Sequence, residues 1–422
     1  MKHTFRALKY RNYRLFFIGQ GISLIGTWMQ MVAIGWLVYR LTGSAMMLGT
    51  VNFVSQIPAL LISPIAGVLA DRWNKMHILI VTQTILMIQA FTFAFLVLAW
   101  EIENWQVIVL SLIAGIVNAF DAPARQSFLI HLIDDKADFG NAIALNSSMF
   151  NGARLIGPFA AGLLISTFGE GECFLINAVS FIAVLIAFKM MRIKSRRADY
   201  EKKHVISEMK EGFNYVFSFL PMKAIILTIA LVSLTGFSYN VLMPVFAADI
   251  LHGDAKTLGF LMSAGGIGAL AGALLLASNK SVIGIEKKIP IFSAVFGAGL
   301  IILSFARSTW LCMLVLFFVG MGMISIMTTA NTLLQTIVSD DKRGRVMSFY
   351  TTAFFGVSPF GSLLAGWMAS KIGTPNAIMV GGIVCLGAAF IFAMKLPQIR
   401  QGVCRAYKDI GFFTENPGKA CK

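Results

Sequence analysis

Apolar residues run along this chain in twelve long blocks separated by short polar joints. The blocks extend from Asn12 to Tyr39, Met46 to Leu69, His77 to Trp100, Gln106 to Ala124, Asn141 to Phe168 and Cys173 to Phe188. After a polar gap they resume at Met222 to Ile250, Thr257 to Ser278, Pro290 to Ala306, Trp310 to Val338, Arg345 to Ser370 and Pro375 to Met394. Stretches of this length cross a hydrocarbon core of roughly 30 Å. Each is predicted to be a helix, because lipid offers no water to satisfy an open backbone. The pattern therefore predicts an all-α membrane protein with twelve spans.

The basic residues then orient the spans. Threaded back and forth, the chain places thirty of its thirty-five Lys and Arg residues on one side, while the other side holds Arg40, Lys256, Arg307 and Lys371. Arg154 lies inside the fifth span. By the positive-inside rule both termini are expected in the cytoplasm.

Composition agrees with this reading. The chain is 57% hydrophobic and 13% charged over 422 residues, against roughly a quarter charged in soluble domains. Its formal net charge of +15 comes from short juxtamembrane loops rather than one patch with interleaved aromatics, so membrane lipid headgroups and not nucleic acid are the expected partners. The first span is too long for a signal-peptide core and lacks a small-residue cleavage site, so it is expected to stay as a helix. Cys173, Cys312, Cys385, Cys404 and Cys421 form no CxxC pair and suggest no disulfide framework.

The polar stretch around KSRRADYEKKH divides six spans from six. We read residues 1–190 as an N-terminal six-helix bundle, 191–221 as a cytosolic connector, 222–396 as a C-terminal six-helix bundle and 397–422 as a basic cytosolic tail. The halves echo each other. Ser23-Leu-Ile-Gly26-Thr-Trp-Met-Gln30 matches Ser233-Leu-Thr-Gly236-Phe-Ser-Tyr-Asn240, Asp134-Asp135 matches Asp340-Asp341, and Gly157 with Gly162 matches Gly361 with Gly366. Ordered matches between halves with even numbers of crossings are what a parallel repeat about the membrane normal produces, with a solute path between the halves.

After the second span comes Gly67-Val-Leu-Ala-Asp71-Arg72-Trp-Asn-Lys75-Met76. It resembles the cytosolic loop signature of the major facilitator superfamily, with Asn74 in place of the usual Gly and Met76 in place of the final basic residue. Gly67 is expected to permit close helix approach. Asp71, Arg72 and Lys75, together with Arg125, are expected to make charged contacts that break when the halves rock. Gly152-Ala-Arg154-Leu-Ile-Gly157-Pro158-Phe-Ala-Ala161-Gly162 in the fifth span resembles the Gly-Pro signature of the superfamily's antiporters. Ala153, Gly157 and Ala161 form a small-residue stripe, and Gly265, Gly268 and Gly272 in the eighth span are its expected partner. The stretch Asn118-Ala-Phe-Asp121-Ala-Pro-Ala-Arg125-Gln126, with Asn141-Ala142 and Asn177-Ala178, resembles a bacterial effluxer subgroup that includes siderophore and macrolide exporters. That resemblance covers both bundles and implies alternating access.

Arg154 is the residue most costly to place in lipid, at roughly 2.5 kcal/mol or more, so it should face the interior. Two roles are open for it: holding an anionic group of the cargo, or bonding Asn118 and helix carbonyls. The matched amides Gln30 and Asn240, with Tyr239, either bond cargo or join helices, and Asn52 and Gln56, four apart on one face of the second span, are expected to join them. Proton antiport needs a titratable group with alternating exposure. Asp121 is the candidate, with a structural bond to the loop after the second span as its alternative.

No GxxxxGKS/T, HExxH or GxSxG motif appears, and the five histidines are dispersed, so neither catalytic residues, cofactor nor metal is expected. The resulting expectation is a monomeric secondary transporter that exports a hydrophobic or amphipathic small molecule in exchange for protons. A carrier of lysophospholipid or another anionic lipid-like solute is the alternative within transport. From another class, a non-transporting scaffold or a membrane enzyme remains open.

Overall fold

The computed structural model describes residues 5–133, 135–192, 205–278 and 281–409, with backbone only at 64–65, 68, 70–72, 136, 205–211, 340–341 and 409. It is almost entirely helical. Six helices, α1 (Arg11–Thr42), α2 (Ala45–Arg72), α3 (Lys75–Ala99), α4 (Asn104–Leu129), α5 (Phe139–Thr167) and α6 (Glu170–Met190), precede the connector. Within the connector α7 covers Val205–Ser218, while 193–204 lies outside the described residues. The second set comprises α8 (Leu220–Ile250), α9 (Ala255–Ala277), α10 (Lys288–Phe305), α11 (Thr309–Ile337), α12 (Asp340–Thr351), α13 (Ser358–Ile372) and α14 (Thr374–Asp409).

Eleven helices among the described residues are long and apolar enough to cross a membrane. The eleventh predicted block is the exception, because a π-helical turn at Thr352–Gly356 divides it into α12 and α13. Pro359 follows as one of the first residues of α13, where its missing N–H is tolerated. Helix α8 is likewise interrupted, by π-helical turns at Val232–Gly236 and Phe246–Ile250 around a 3-10 segment. Such bulges shift side chains around the helix axis and are frequent at functional sites. The last helix runs through Pro397 to Asp409, well past the apolar block ending at Met394.

The chain divides into two compact units. One contains residues 1–201 together with 243–263; in it α1 packs on α5 and α6, α2 on α4, and α3 on α4 and α6. The other contains 202–242 and 264–422, where α10 packs on α11 and α14. The second half of α8 and the start of α9 thus group with the first six helices.

Local capping defines the joints. Ser44 caps α2 by accepting from the Met47 N–H at 3.3 Å. Asn74 caps α3, accepting from Met76 and His77 N–H at 3.0 and 3.4 Å. The departure from the usual Gly at this position therefore satisfies helix-end donors that glycine could not reach. Gly43 ends α1 in the left-handed region at φ 58°, where a side chain would be strained. Outward apolar residues such as Ile18, Ile88, Phe95, Leu274 and Phe390 are more than half exposed, as a lipid-facing surface requires.

Candidate functional site

A wholly buried carboxylate lies in the first unit. Asp121 on α4 has a side-chain exposure of 0%. Its Oδ1 accepts hydrogen bonds from Thr82 Oγ1 at 2.9 Å and Gln83 Nε2 at 2.8 Å, both on α3. Its Oδ2 pairs with Arg125 Nη2 at 2.5 Å, one helical turn on. Arg125 is 28% exposed, so the cluster has one fully enclosed anion and one cation at its edge. Two neutral donors and one cation can hold an ionised carboxylate inside an apolar bundle, where an unpaired charge would be prohibitive. The partners of Asp121 come from α3 and its own helix, not from the loop after α2, which corrects the expected structural bond. Thr82 and Gln83 were not singled out in the sequence. Their only signal is that both are polar residues inside an apolar span.

A second buried network joins four helices. Gln30 Nε2 on α1 donates to Gln89 Oε1 on α3 at 3.1 Å, and Asn177 Nδ2 on α6 donates to Gln30 Oε1 at 2.7 Å. Gln89 Nε2 continues to the Leu110 carbonyl at 3.3 Å, and Ser180 Oγ donates to Asn177 Oδ1 at 3.3 Å. Of the two roles open for Gln30, this geometry is the interhelical one, with both ends of the amide engaged. Gly26 permits the crossing, because a methyl there would meet Asn177 Oδ1 at 2.6 Å and Ser180 Oγ at 2.8 Å.

The other expected pathway residues are dispersed. Arg154 is partly buried, with its guanidinium carbon 5.8 Å from the Trp28 ring centroid, a cation–π arrangement. Asn118 is exposed one turn before Asp121. Gln56 Nε2 donates to Asn52 Oδ1 along α2. In the second unit Tyr239 is 5% exposed and meets Phe296 edge-on at 6.3 Å, while Asn240 Nδ2 donates to the Phe237 carbonyl at 3.2 Å.

Close backbone approaches mark one end of the first unit. A methyl built on Gly162 of α5 would lie 2.9 Å from both the Ala255 carbonyl oxygen and Gly259 Cα. One on Gly259 would lie 2.7 Å from the Pro158 carbonyl oxygen. Ser263 Oγ donates to the Leu155 carbonyl at 3.2 Å, and Tyr39 Oη donates to Asp249 Oδ2 at 2.5 Å. Nearby Arg40 Nε pairs with the nearly buried Glu170 at 2.7 Å. Segment 243–263 is thereby fastened to α1 and α5.

Two packing expectations are corrected. The stripe Gly265, Gly268 and Gly272 faces α11, not α5: a methyl on Gly272 would lie 2.7 Å from the Met321 carbonyl oxygen, and Gly268 abuts Phe317 backbone. Gly259, one helical segment earlier, is the residue that meets α5. Gly157 packs on α1 beside Trp28 and the Ile25 carbonyl, in a stripe with the buried Pro158 and Ala161. At Gly67 a methyl would meet no atom of the described residues within 4 Å, so among them no close approach is made there. Lys75 begins α3, and the side chains of Asp71 and Arg72 lie outside the described residues. Cys173, Cys312 and Cys385 are buried free thiols, whereas Cys404 is disulfide-bonded, a pairing that the cysteine spacing does not suggest.

The sequence profile of the transmembrane secretion effectors matches residues 2–408. The chain belongs to that family. It is a multi-pass membrane transporter of the major facilitator superfamily, of efflux type, and not an enzyme. The staphyloferrin A transporter of Staphylococcus aureus is 28% identical over 414 residues, covering 92% of this chain and 99% of the relative. Macrolide efflux protein A of Streptococcus pyogenes is 24% identical over 404 residues, covering 93% and 98%. A crystal structure of a POT family transporter in complex with 5-aminolevulinic acid superposes with a TM-score of 0.74 at 11% identity, covering 92% of this chain and 96% of that one. The fold is thus shared far beyond recognisable sequence.

Proposed function

We propose that this transporter exports a hydrophobic or amphipathic small molecule across the bacterial inner membrane by alternating access, in exchange for protons. Siderophore and macrolide transporters among the relatives support the cargo class. The observation that carries the coupling is the enclosed Asp121 cluster. Ionised, Asp121 holds Arg125, Thr82 and Gln83 together; protonated, it loses its charge and releases Arg125, which already lies at the edge of the cluster. Protonation also weakens the bonds from Thr82 and Gln83 that tie α3 to α4, so a proton can be exchanged for a conformational step.

Alternation needs a barrier that closes one side at a time. The fastening of 243–263 to α1 and α5 supports a seal on the side poor in basic residues, which the positive-inside rule makes external, with both termini cytoplasmic. Residues 1–190 and 222–396 act as the two rocking bundles, joined by 191–221. Arg154, Asn118, Asn52, Gln56, Tyr239 and Asn240 contribute the polar points of the cargo pathway, and the monomer is the working unit.

Flux in vesicles tests the coupling. Asp121→Asn keeps the shape of the side chain and removes its charge, so it should abolish transport driven by a pH gradient while sparing downhill movement of the same solute. Equal loss of both in a folded variant would remove Asp121 from the proton path.

A further inference from the structure

The final helix carries a second site. At about 1.5 Å per residue the 36 residues of α14 extend roughly 54 Å, well beyond a hydrocarbon core of about 30 Å. The part past the bilayer is amphipathic. Ile399, Val403, Ala406 and Tyr407 are buried against the second unit at helical spacing, with Tyr407 Oη 3.1 Å from Thr336 Oγ1. Its other side opens on a cavity of about 660 Å³, lined by Lys287, Arg400, Arg405 and Lys408, with the Gln401 amide and the apolar Ala393, Leu396 and Pro397 at its membrane end. That volume lies within the roughly 300–1,000 Å³ of small-molecule pockets.

Most of the charge of this cavity is uncompensated among the described residues. Glu286, 2% exposed, is the acid beside it, and its Oε1 lies 3.8 Å from Arg400 Nε. Among the described residues Lys287, Arg405 and Lys408 have no carboxylate partner. Lys287 moreover caps the N-terminus of α10, and Lys288 follows it. Cations at that end of an eighteen-residue helix oppose its dipole, so an anion placed there would be favoured by the helix end as well as by the side chains. Helix end, three unpaired cations, an amide donor and an apolar rim at the level of the headgroups converge on one kind of ligand.

We propose that this cavity binds the phosphate headgroup of an anionic phospholipid, with Lys287, Arg405 and Lys408 on the phosphate and the rim at Ala393, Leu396 and Pro397 against the start of the acyl chains. The site anchors α14 to the cytoplasmic leaflet and is independent of the cargo pathway. A soluble phosphate ester presents the same group without the chains, so the test separates the two sources.

Purified full-length protein is titrated with phosphatidylglycerol, phosphatidylcholine and glycerol phosphate, and bound mass is read by native mass spectrometry. Phosphatidylglycerol should bind at least about tenfold more tightly than phosphatidylcholine. A basic residue near the headgroups contributes about a factor of five, so Lys287→Gln/Arg405→Gln/Lys408→Gln should weaken phosphatidylglycerol roughly a hundredfold. Lys287→Arg/Lys408→Arg should retain it, which separates charge from folding. Glycerol phosphate binding as tightly as phosphatidylglycerol would overturn the lipid assignment in favour of a soluble phosphate ester. Unchanged phosphatidylglycerol affinity in the folded triple variant, or equal affinity for the neutral lipid, would overturn the site itself.

Discussion

Replacing Gly162 by alanine tests the seal at one end of the first unit. The added methyl would lie 2.9 Å from the Ala255 carbonyl oxygen and 2.9 Å from Gly259 Cα. Both opposing atoms are backbone, so no side chain can rotate aside, and α5 and α9 must move apart. Forcing a methyl into a packed contact costs about 1–3 kcal/mol, which corresponds to roughly a 5- to 150-fold shift of the closed-to-open ratio. The open form makes no such contact and is unaffected. Ser263, 5% exposed and bonded to the Leu155 carbonyl, reports on the seal when changed to cysteine, a nearly isosteric substitution. The rate of labelling of Ser263→Cys by a membrane-impermeant maleimide on intact cells should rise by that factor when Gly162→Ala is added. An unchanged rate in a folded, expressed protein would show that this contact does not limit opening, and the assignment of 243–263 as the external seal would fall.

Other outcomes follow from the same geometry. Asp138 is fully buried and accepts from Tyr10 Oη at 2.9 Å, with Lys9 at 2.5 Å and Arg6 at 2.8 Å. The Lys9 ammonium, helped by Tyr10 and Arg6, holds its carboxyl below the ordinary value of 3.8 despite burial. Docking of the N-terminal segment is therefore fully supported above that value and weakens as pH falls through the lower folded one. Hydrogen exchange of residues 5–13 should accelerate only in strong acid in the wild type and already at neutral pH in Asp138→Ala; similar protection in both would refute the tie. Gln30→Leu should lower the midpoint of thermal unfolding, since a buried interhelical hydrogen bond in lipid contributes about 0.6 kcal/mol and Gln30 makes two, while leaving the cargo KM unchanged. A raised KM with unchanged stability would return Gln30 to the cargo pathway. Arg154→Ala should reduce flux of anionic cargo more than that of neutral cargo, and equal flux of both before and after would exclude its role with an anion.

Much of the architecture is legible in linear order because lipid imposes a one-dimensional rule: a segment that crosses must be apolar for about twenty residues and must close its own backbone hydrogen bonds. Apart from the end of α14, the eleven spanning helices begin and end close to their blocks, and the family follows from the loop before Asn74 and the stretch around Asp121. The breaks at Val232–Gly236 and Thr352–Gly356 were not legible, since a π-helical turn changes hydrogen-bond register without changing hydropathy. Extension of α14 past Met394 was missed for a different reason. Ile399, Val403 and Tyr407 are spaced for a surface helix, and that signal is hidden among basic residues.

Sequence by itself determined that this chain is an all-helical membrane transporter, because hydropathy, the asymmetry of Lys and Arg, and short loop motifs are properties of residues and their order. Partnership between helices was decided only by tertiary structure. Gly259 and not the Gly265 stripe meets α5, Gln30 closes on Gln89 and Asn177, and Thr82 with Gln83 encloses Asp121. In an apolar bundle almost any small residue can pack and almost any amide can bond. Rotation of each helix about its axis selects among them, and that rotation is fixed by all its neighbours at once.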